Sequence, residues 1–200
     1  MDMNVYSLLM PYLLTLITCE FFYCIWQRPG YYNFQDSMAN LATAIMNQIS
    51  NVAVAWAVFH LYDALQKHLS FWTVQPTLTN WIVLFVAIDF LFYWFHRAGH
   101  EINILWAAHA PHHSSEELNY TVGARASVTQ RIASILFYIP LPLLGFPAEM
   151  VVPLLILHHV LQFWPHTRAI ETAASARTLS PSIVIDPPVQ WITRPSNPLN

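Results

Sequence analysis

Residues 81–113 read WIVLFVAIDFLFYWFHRAGHEINILWAAHAPHH. Trp81 to Phe95 is an apolar run with one acid, Asp89, and it leads directly into His96. Five of the chain's ten histidines then fall within 18 residues, at positions 96, 100, 109, 112 and 113. An even spread would put about one there. The stretch therefore predicts an apolar helix that delivers a cluster of imidazoles at its end. His96 and His100 are four residues apart, which on a helix is about 400° of rotation and about 6 Å of rise, so their rings share a face. Asp89 and Tyr93 lie on the same stripe, and a carboxylate there is placed to take the second N–H of a metal-bound histidine. His109, His112 and His113 form H-x-x-H-H, again one helical face.

Neutral imidazole is a ligand for zinc, copper or iron. Five candidates exceed the four that a tetrahedral zinc takes. The number favours two metals, which in paired sites stand roughly 3.5–4 Å apart. A zinc protease is disfavoured, because HRAGH has Arg97 where H-E-x-x-H needs its glutamate. His60 and His68 read as structural, and so do His158 and His159 inside the last apolar segment.

Working outward, the 200 residues suffice for one domain with a real core. They are 56% hydrophobic and 10% charged, where a soluble domain carries about 25% charged residues. That composition points to a membrane protein. The net charge of −3 and the absence of a basic run exclude nucleic acid as an expected partner. Cys19 and Cys24 sit in an apolar segment and read as small buried hydrophobes.

Val5 to Trp26 is long enough to span a bilayer, which takes about 20 helical residues. It has no basic leader and no A-x-A site, so it reads as a retained helix rather than a signal peptide. Gln27 to Ser37 (QRPGYYNFQDS) breaks it. Met38 to Tyr62 is a second apolar stretch whose Asn40, Asn47, Gln48 and Asn51 are expected to face protein rather than lipid. Leu61 to Asn80 reads as a mixed loop. Ile132 to Trp164 is interrupted by Pro140, Pro142, Gly145 and Pro147 and reads as a helical hairpin that enters and returns. With the N-terminus outside, Arg28, Arg97, Arg125, Arg131 and Arg168 all fall inside, and Lys67 is the exception. His96, His100, His109, His112, His113 and His166 then share one cytosolic interface. The expected fold is all-α and membrane-integral, with about four spanning or re-entrant helices under a histidine-rich cap. Residues 1–80 hold the first two helices, 81–166 the histidine-bearing domain, and 167–200 a Pro/Ser-rich irregular tail.

The pattern D-x-x-x-Y-W-x-H-R-x-x-H from Asp89 to His100, then LWAAHAPHHSSEELN and later QFWPHT, resembles the fatty acid hydroxylase/sterol desaturase superfamily. Its alkylglycerol monooxygenase branch is the most similar, and NFQDSMANL also looks like a segment of that branch. The resemblance implies a membrane-embedded non-haem di-iron oxygenase that acts on a lipid with O2. It implies His96, His100, His109, His112, His113 and His166 as ligands. For the alkylglycerol branch it implies tetrahydrobiopterin as reductant and hydroxylation of an ether-linked carbon. For other branches, the sterol or sphingolipid hydroxylases and desaturases, it implies an electron-transfer partner. Eukaryotic members point to the endoplasmic reticulum, and a prokaryotic chain would sit in the inner membrane. Glu116, Glu117, Asn119 and Arg125 follow the ligand box and are candidates to support it or to contact the substrate head group.

The resemblance also calls for a last box of roughly H-H-x-x-H-H, and no histidine follows His166. Five prolines fall in that stretch, and SIVI is its one strand-like run. The expectation from this is an incomplete di-iron site in a chain impaired as an enzyme, or a non-catalytic membrane protein.

Overall fold

The computed structural model describes residues 5–27, 32–115, 119–125, 127–163 and 166–167. Among them every regular element is helical. The helices are α1 (Val5–Gln27), α2 (Phe34–Leu69), α3 (Leu78–Glu101), α4 (Asn103–His109), α5 (Tyr120–Gly123), α6 (Val128–Tyr138), α7 (Pro140–Leu143) and α8 (Ala148–Leu161). A single 3₁₀ turn covers His112–Ser114.

Capping side chains set the ends of the long helices. Asn33 Oδ1 accepts from the N–H groups of Gln35 and Asp36 at 2.9 and 3.3 Å, so α2 starts four residues before the apolar run. It also continues past Tyr62 to Leu69, where a loop was expected. Ala64, Leu65, Gln66 and Lys67 are strong helix formers, and Lys67 pairs with Asp63 one turn earlier. Hydropathy falls there while helix propensity does not. Thr77 caps α3 through the N–H of Asn80. That helix runs past Phe95, so His96 and His100 occupy its last two turns.

The core lies between α2, α3 and the α6–α8 segment. Tyr62, Leu84, Ile88, Tyr138, Leu141, Phe146, Ala148, Met150 and Val151 are buried together. The buried Tyr62 hydroxyl donates to the Ile135 carbonyl at 3.0 Å. The chain reverses at Gly145, between α6–α7 and α8. The two arms, α6 and α8, pack mainly against α2 and α3 rather than against each other. Gly145 has φ of +89°, a conformation that favours glycine. A Cβ there would stand 2.6 Å from the Trp72 carbonyl oxygen. Trp72 Nε1 donates to Leu144 O at 3.0 Å, and Val74 N–H to Gly145 O at 2.8 Å. This turn is thereby pinned to the α2–α3 connection.

Among the described residues α3 is long and apolar enough to cross a membrane, and α2 joins it if its halves count as one bent span. Leu84, Ile88 and Phe95 of α3 face the core, while Ile82, Val86 and Phe90 form an exposed stripe at four-residue spacing.

Candidate metal centre

Ile102 alone separates α3 from α4. Its extended backbone reverses the chain, with its N–H on Ala98 O at 2.8 Å and the Trp106 N–H on Ile102 O at 2.8 Å. α4 folds back along the end of α3, and the His109 ring comes to lie over Gly99. A tight turn follows, closed by the His113 N–H on Ala110 O at 3.0 Å, and presents His112 and His113 on the same side.

The result is a convergence of imidazoles. His96 Nε2 lies 2.9 Å from His100 Nε2, and His109 Nε2 lies 2.9 Å from His113 Nε2. One nitrogen from each of these four rings falls within 4.8 Å of the others. His96 and His109 are buried. Trp106, which is half-exposed, stacks on His113 with centroids 5.8 Å apart and borders His100 at 5.5 Å.

His112 and His166 form a third pair, with Nε2 atoms 3.1 Å apart. The ring centroid of His112 is 5.1 Å from that of His113 and 5.5 Å from that of His109, so this pair adjoins the other four. Each ring has its outer nitrogen engaged: His112 Nδ1 donates to Arg125 O at 2.7 Å, and His166 Nδ1 to Gln162 O at 2.9 Å. A carbonyl oxygen only accepts, so both Nδ1 atoms carry hydrogen. A neutral imidazole has one N–H, so both Nε2 atoms present lone pairs to each other. Two facing lone pairs repel unless a cation lies between them. Outer N–H bound to a carbonyl and inner nitrogen aimed inward is the arrangement that metal-bound histidines adopt.

Electrostatics agrees. Burial and the neighbouring imidazoles hold His109 down at about 2 and His113 at about 3. The same two causes hold His166 at about 3, and burial lowers His112. These rings are neutral near pH 7, the form that binds metal.

A buried polar clamp supports the turn. Asn40 of α2 is fully buried and donates through Nδ2 to Ser115 Oγ at 3.2 Å and to Thr121 Oγ1 at 3.0 Å. Its Oδ1 accepts from Arg125 Nη1 at 2.7 Å, and Arg125 Nη2 donates to Ser114 Oγ at 2.6 Å. Ser115 Oγ donates to Asp36 Oδ2 at 2.6 Å. Arg125 thus fixes the histidine turn twice, with its guanidinium on Ser114 and its carbonyl on His112.

All six histidines expected as ligands come together. The other candidates divide. Arg125 and Asn119 frame the site, Asn119 as the cap of α5 through the Thr121 N–H at 3.1 Å. Asp89 accepts from His158 Nε2 at 3.0 Å, so its partner is a histidine outside the cluster. Tyr93 takes Arg97 Nη1 at 3.4 Å. Glu116, Glu117 and the stretch from residue 168 onward, where the tail and the last-box expectations fall, lie outside the described residues, as does the side chain of Asn51. His60 and His68 are exposed on α2. His159 bonds its own helix at Leu155 O. Sequence reasoning assigned no site role to Asp36 or Asn40, although Asn40 had been expected to face protein.

A fatty acid hydroxylase family model matches residues 81–189. The chain belongs to the fatty acid hydroxylase family. Among curated relatives it is 32% identical over 163 residues to an alkylglycerol monooxygenase of Danio rerio, covering 80% of this chain and 36% of that protein. It is 42% identical over 136 residues to one of Xenopus tropicalis, covering 68% and 30%. It is 45% identical over 91 residues to one of Homo sapiens, covering 46% and 20%. The chain therefore spans about a third or less of the length of these hydroxylase-family relatives. No solved structure matches it.

Proposed function

We propose that this member of the fatty acid hydroxylase family carries the histidine centre of a membrane-bound, non-haem iron monooxygenase. Its substrate is a lipid, its oxidant O2, and its most similar activity that of the alkylglycerol monooxygenases. The observation that carries the reading is the convergence of six imidazoles from α3, α4, the following turn and the segment after α8.

His96, His100, His109 and His113 would hold one iron, and His112 and His166 would contribute to a second beside it. When bound, the iron supplies the redox chemistry that an unactivated C–H bond demands and that side chains cannot provide. The chain's own residues do the rest. Arg125 O and Gln162 O keep the inner nitrogens of His112 and His166 unprotonated. Asn40 and Arg125 hold the turn in register. Phe92, with its ring centroid 5.7 Å from that of His96, and Trp106 keep water from the rings they border. With an ether lipid, oxygen inserted at the ether-linked carbon gives a hemiacetal, which collapses to a fatty aldehyde and the freed glycerol hydroxyl. The second oxygen atom leaves as water with two electrons and two protons from a reductant, for which tetrahydrobiopterin is the candidate.

The exposed apolar stripe of α3 supports a bilayer as the surroundings, because an unpaired row of that kind in water invites aggregation. The arginine distribution favours the cytosolic face for the histidines, and the endoplasmic reticulum is the expected membrane. The test is product analysis with chain reconstituted in lipid nanodiscs with Fe(II), O2 and tetrahydrobiopterin. An ether-linked alkylglycerol, a sterol and a ceramide are offered separately. Fatty aldehyde from the alkylglycerol alone, lost in His109→Ala, supports the reading. A hydroxylated sterol or ceramide instead would reassign the substrate. No oxidised product from any lipid, with iron bound, would refute the assignment.

A further inference from the structure

α1 is mostly apolar, and its one charged residue, Glu20, is 5% exposed. Burying a carboxylate is costly unless hydrogen bonds compensate it. Here three do. Glu20 Oε2 accepts from the Tyr32 hydroxyl and from the Tyr120 backbone N–H, each at 2.6 Å, and Oε1 accepts from the Thr167 hydroxyl. The donors come from three segments far apart in the chain. A carboxylate accepts at both oxygens and donates from neither, which suits it to gather three donors.

What these donors frame is His166. This residue lies beyond the end of α8, so no helix fixes its position. Thr167 is its immediate neighbour and is 2% exposed. On the other side, the His166 N–H donates to Phe163 O at 3.1 Å. The Phe163 ring stacks on Tyr120 with centroids 5.8 Å apart, and it fills the space beside Gly123, where a Cβ would meet it at 3.0 Å. Glu20 thus grips both flanks of His166, through Thr167 directly and through Tyr120 and Phe163.

We infer that Glu20 is a positioning residue that sets the reach of His166 into the histidine cluster, making α1 part of the metal site. The inference rests on the reading of that cluster as a metal centre. A partner that orients a ligand typically changes metal affinity by about 10–100-fold when removed.

The experiment loads the full chain in detergent with Co(II) and records its visible ligand-field spectrum and dissociation constant. Glu20→Gln, Glu20→Ala, Thr167→Val and His166→Ala are compared, with helicity followed by circular dichroism. Thr167→Val removes one hydroxyl and keeps the shape, so it reports even if Glu20→Ala does not fold. The expected result is that Thr167→Val and Glu20→Gln keep wild-type helicity, shift the spectrum in the direction of His166→Ala, and weaken binding about 10-fold or more. Wild-type spectra and affinity in both, with His166→Ala shifted, would overturn the role of Glu20 and leave the metal reading intact. A folded wild-type chain that binds no Co(II) would overturn both.

Discussion

His112 shows how single residues assemble this site. Its Nδ1–H is committed to Arg125 O, so its Nε2 is committed to face His166. The cause lies 13 residues away in sequence, at an arginine whose guanidinium is in turn held by Asn40 of α2. Asn40→Ala takes the acceptor from Arg125 Nη1 and a donor each from Ser115 Oγ, which keeps Asp36, and Thr121 Oγ1, which keeps Asn119. A buried group left without its partner costs roughly 1–3 kcal/mol. We expect a loss of about 3 kcal/mol in denaturant unfolding, together with metal affinity reduced about 10-fold. A variant with wild-type stability would remove Asn40 from the clamp. At this level the five histidines from His96 to His113 were legible because ligand spacing is local and survives in the sequence. The helix count placed His166 at the same interface, but only the family resemblance named it a ligand, because the contact that brings it to His112 is made by tertiary structure. Asn40 and Glu20 left one trace, a polar side chain in an apolar run, and Asp36 left none in its polar break; neither says which partner is met.

The helices depart from their hydropathy wherever a cap or a propensity outlasts the apolar pattern. Asn33 starts α2 early, and Asp63 to Leu69 extend it. Asn33→Ala removes both cap acceptances, and we expect about 1 kcal/mol of lost stability, read as a lowered thermal midpoint. The connection between α2 and α3 is shorter than the residues suggested because α2 runs on to Leu69 and Thr77 caps α3, and Trp72 and Val74 pin it to the Gly145 turn. Gly145→Ala forces a side chain into a left-handed backbone, at about 1–2 kcal/mol. Its Cβ would also meet the Trp72 carbonyl at 2.6 Å. We expect a larger loss there than at Gly99, where a Cβ would have 3.5 Å to the His109 ring. Equal midpoints for Gly145→Ala and Gly99→Ala would contradict that. The reversal at Ile102 was invisible beforehand, since nothing in EINIL signals a break, yet it is what folds His109 onto His96.

For the molecule as a whole, the apolar pattern announced an all-α chain with about four spanning or re-entrant helices; the described residues are helical, and α3, with α2 as a bent second, is long and apolar enough to cross. Composition carries no information on how the helices stack. That α6 and α8 would both lean on α2 and α3 follows from the buried set around Tyr62, Leu84 and Ile88. If the stripe of Ile82, Val86 and Phe90 faces lipid, Phe90→Lys near the middle of α3 should raise the free energy of insertion by about 3 kcal/mol. A glycosylation-reporter insertion assay would read that as a drop in inserted fraction, and an unchanged fraction would place the stripe elsewhere. Everything proposed for this chain depends on the imidazole cluster binding metal. The decisive measurement is elemental mass spectrometry of detergent-purified protein, wild type beside His96→Ala and His109→Ala. We expect iron on the wild-type chain, at least the one atom that His96, His100, His109 and His113 would hold, falling to background in both variants. A helical wild-type chain with no more iron than its variants would show that these histidines meet for another reason.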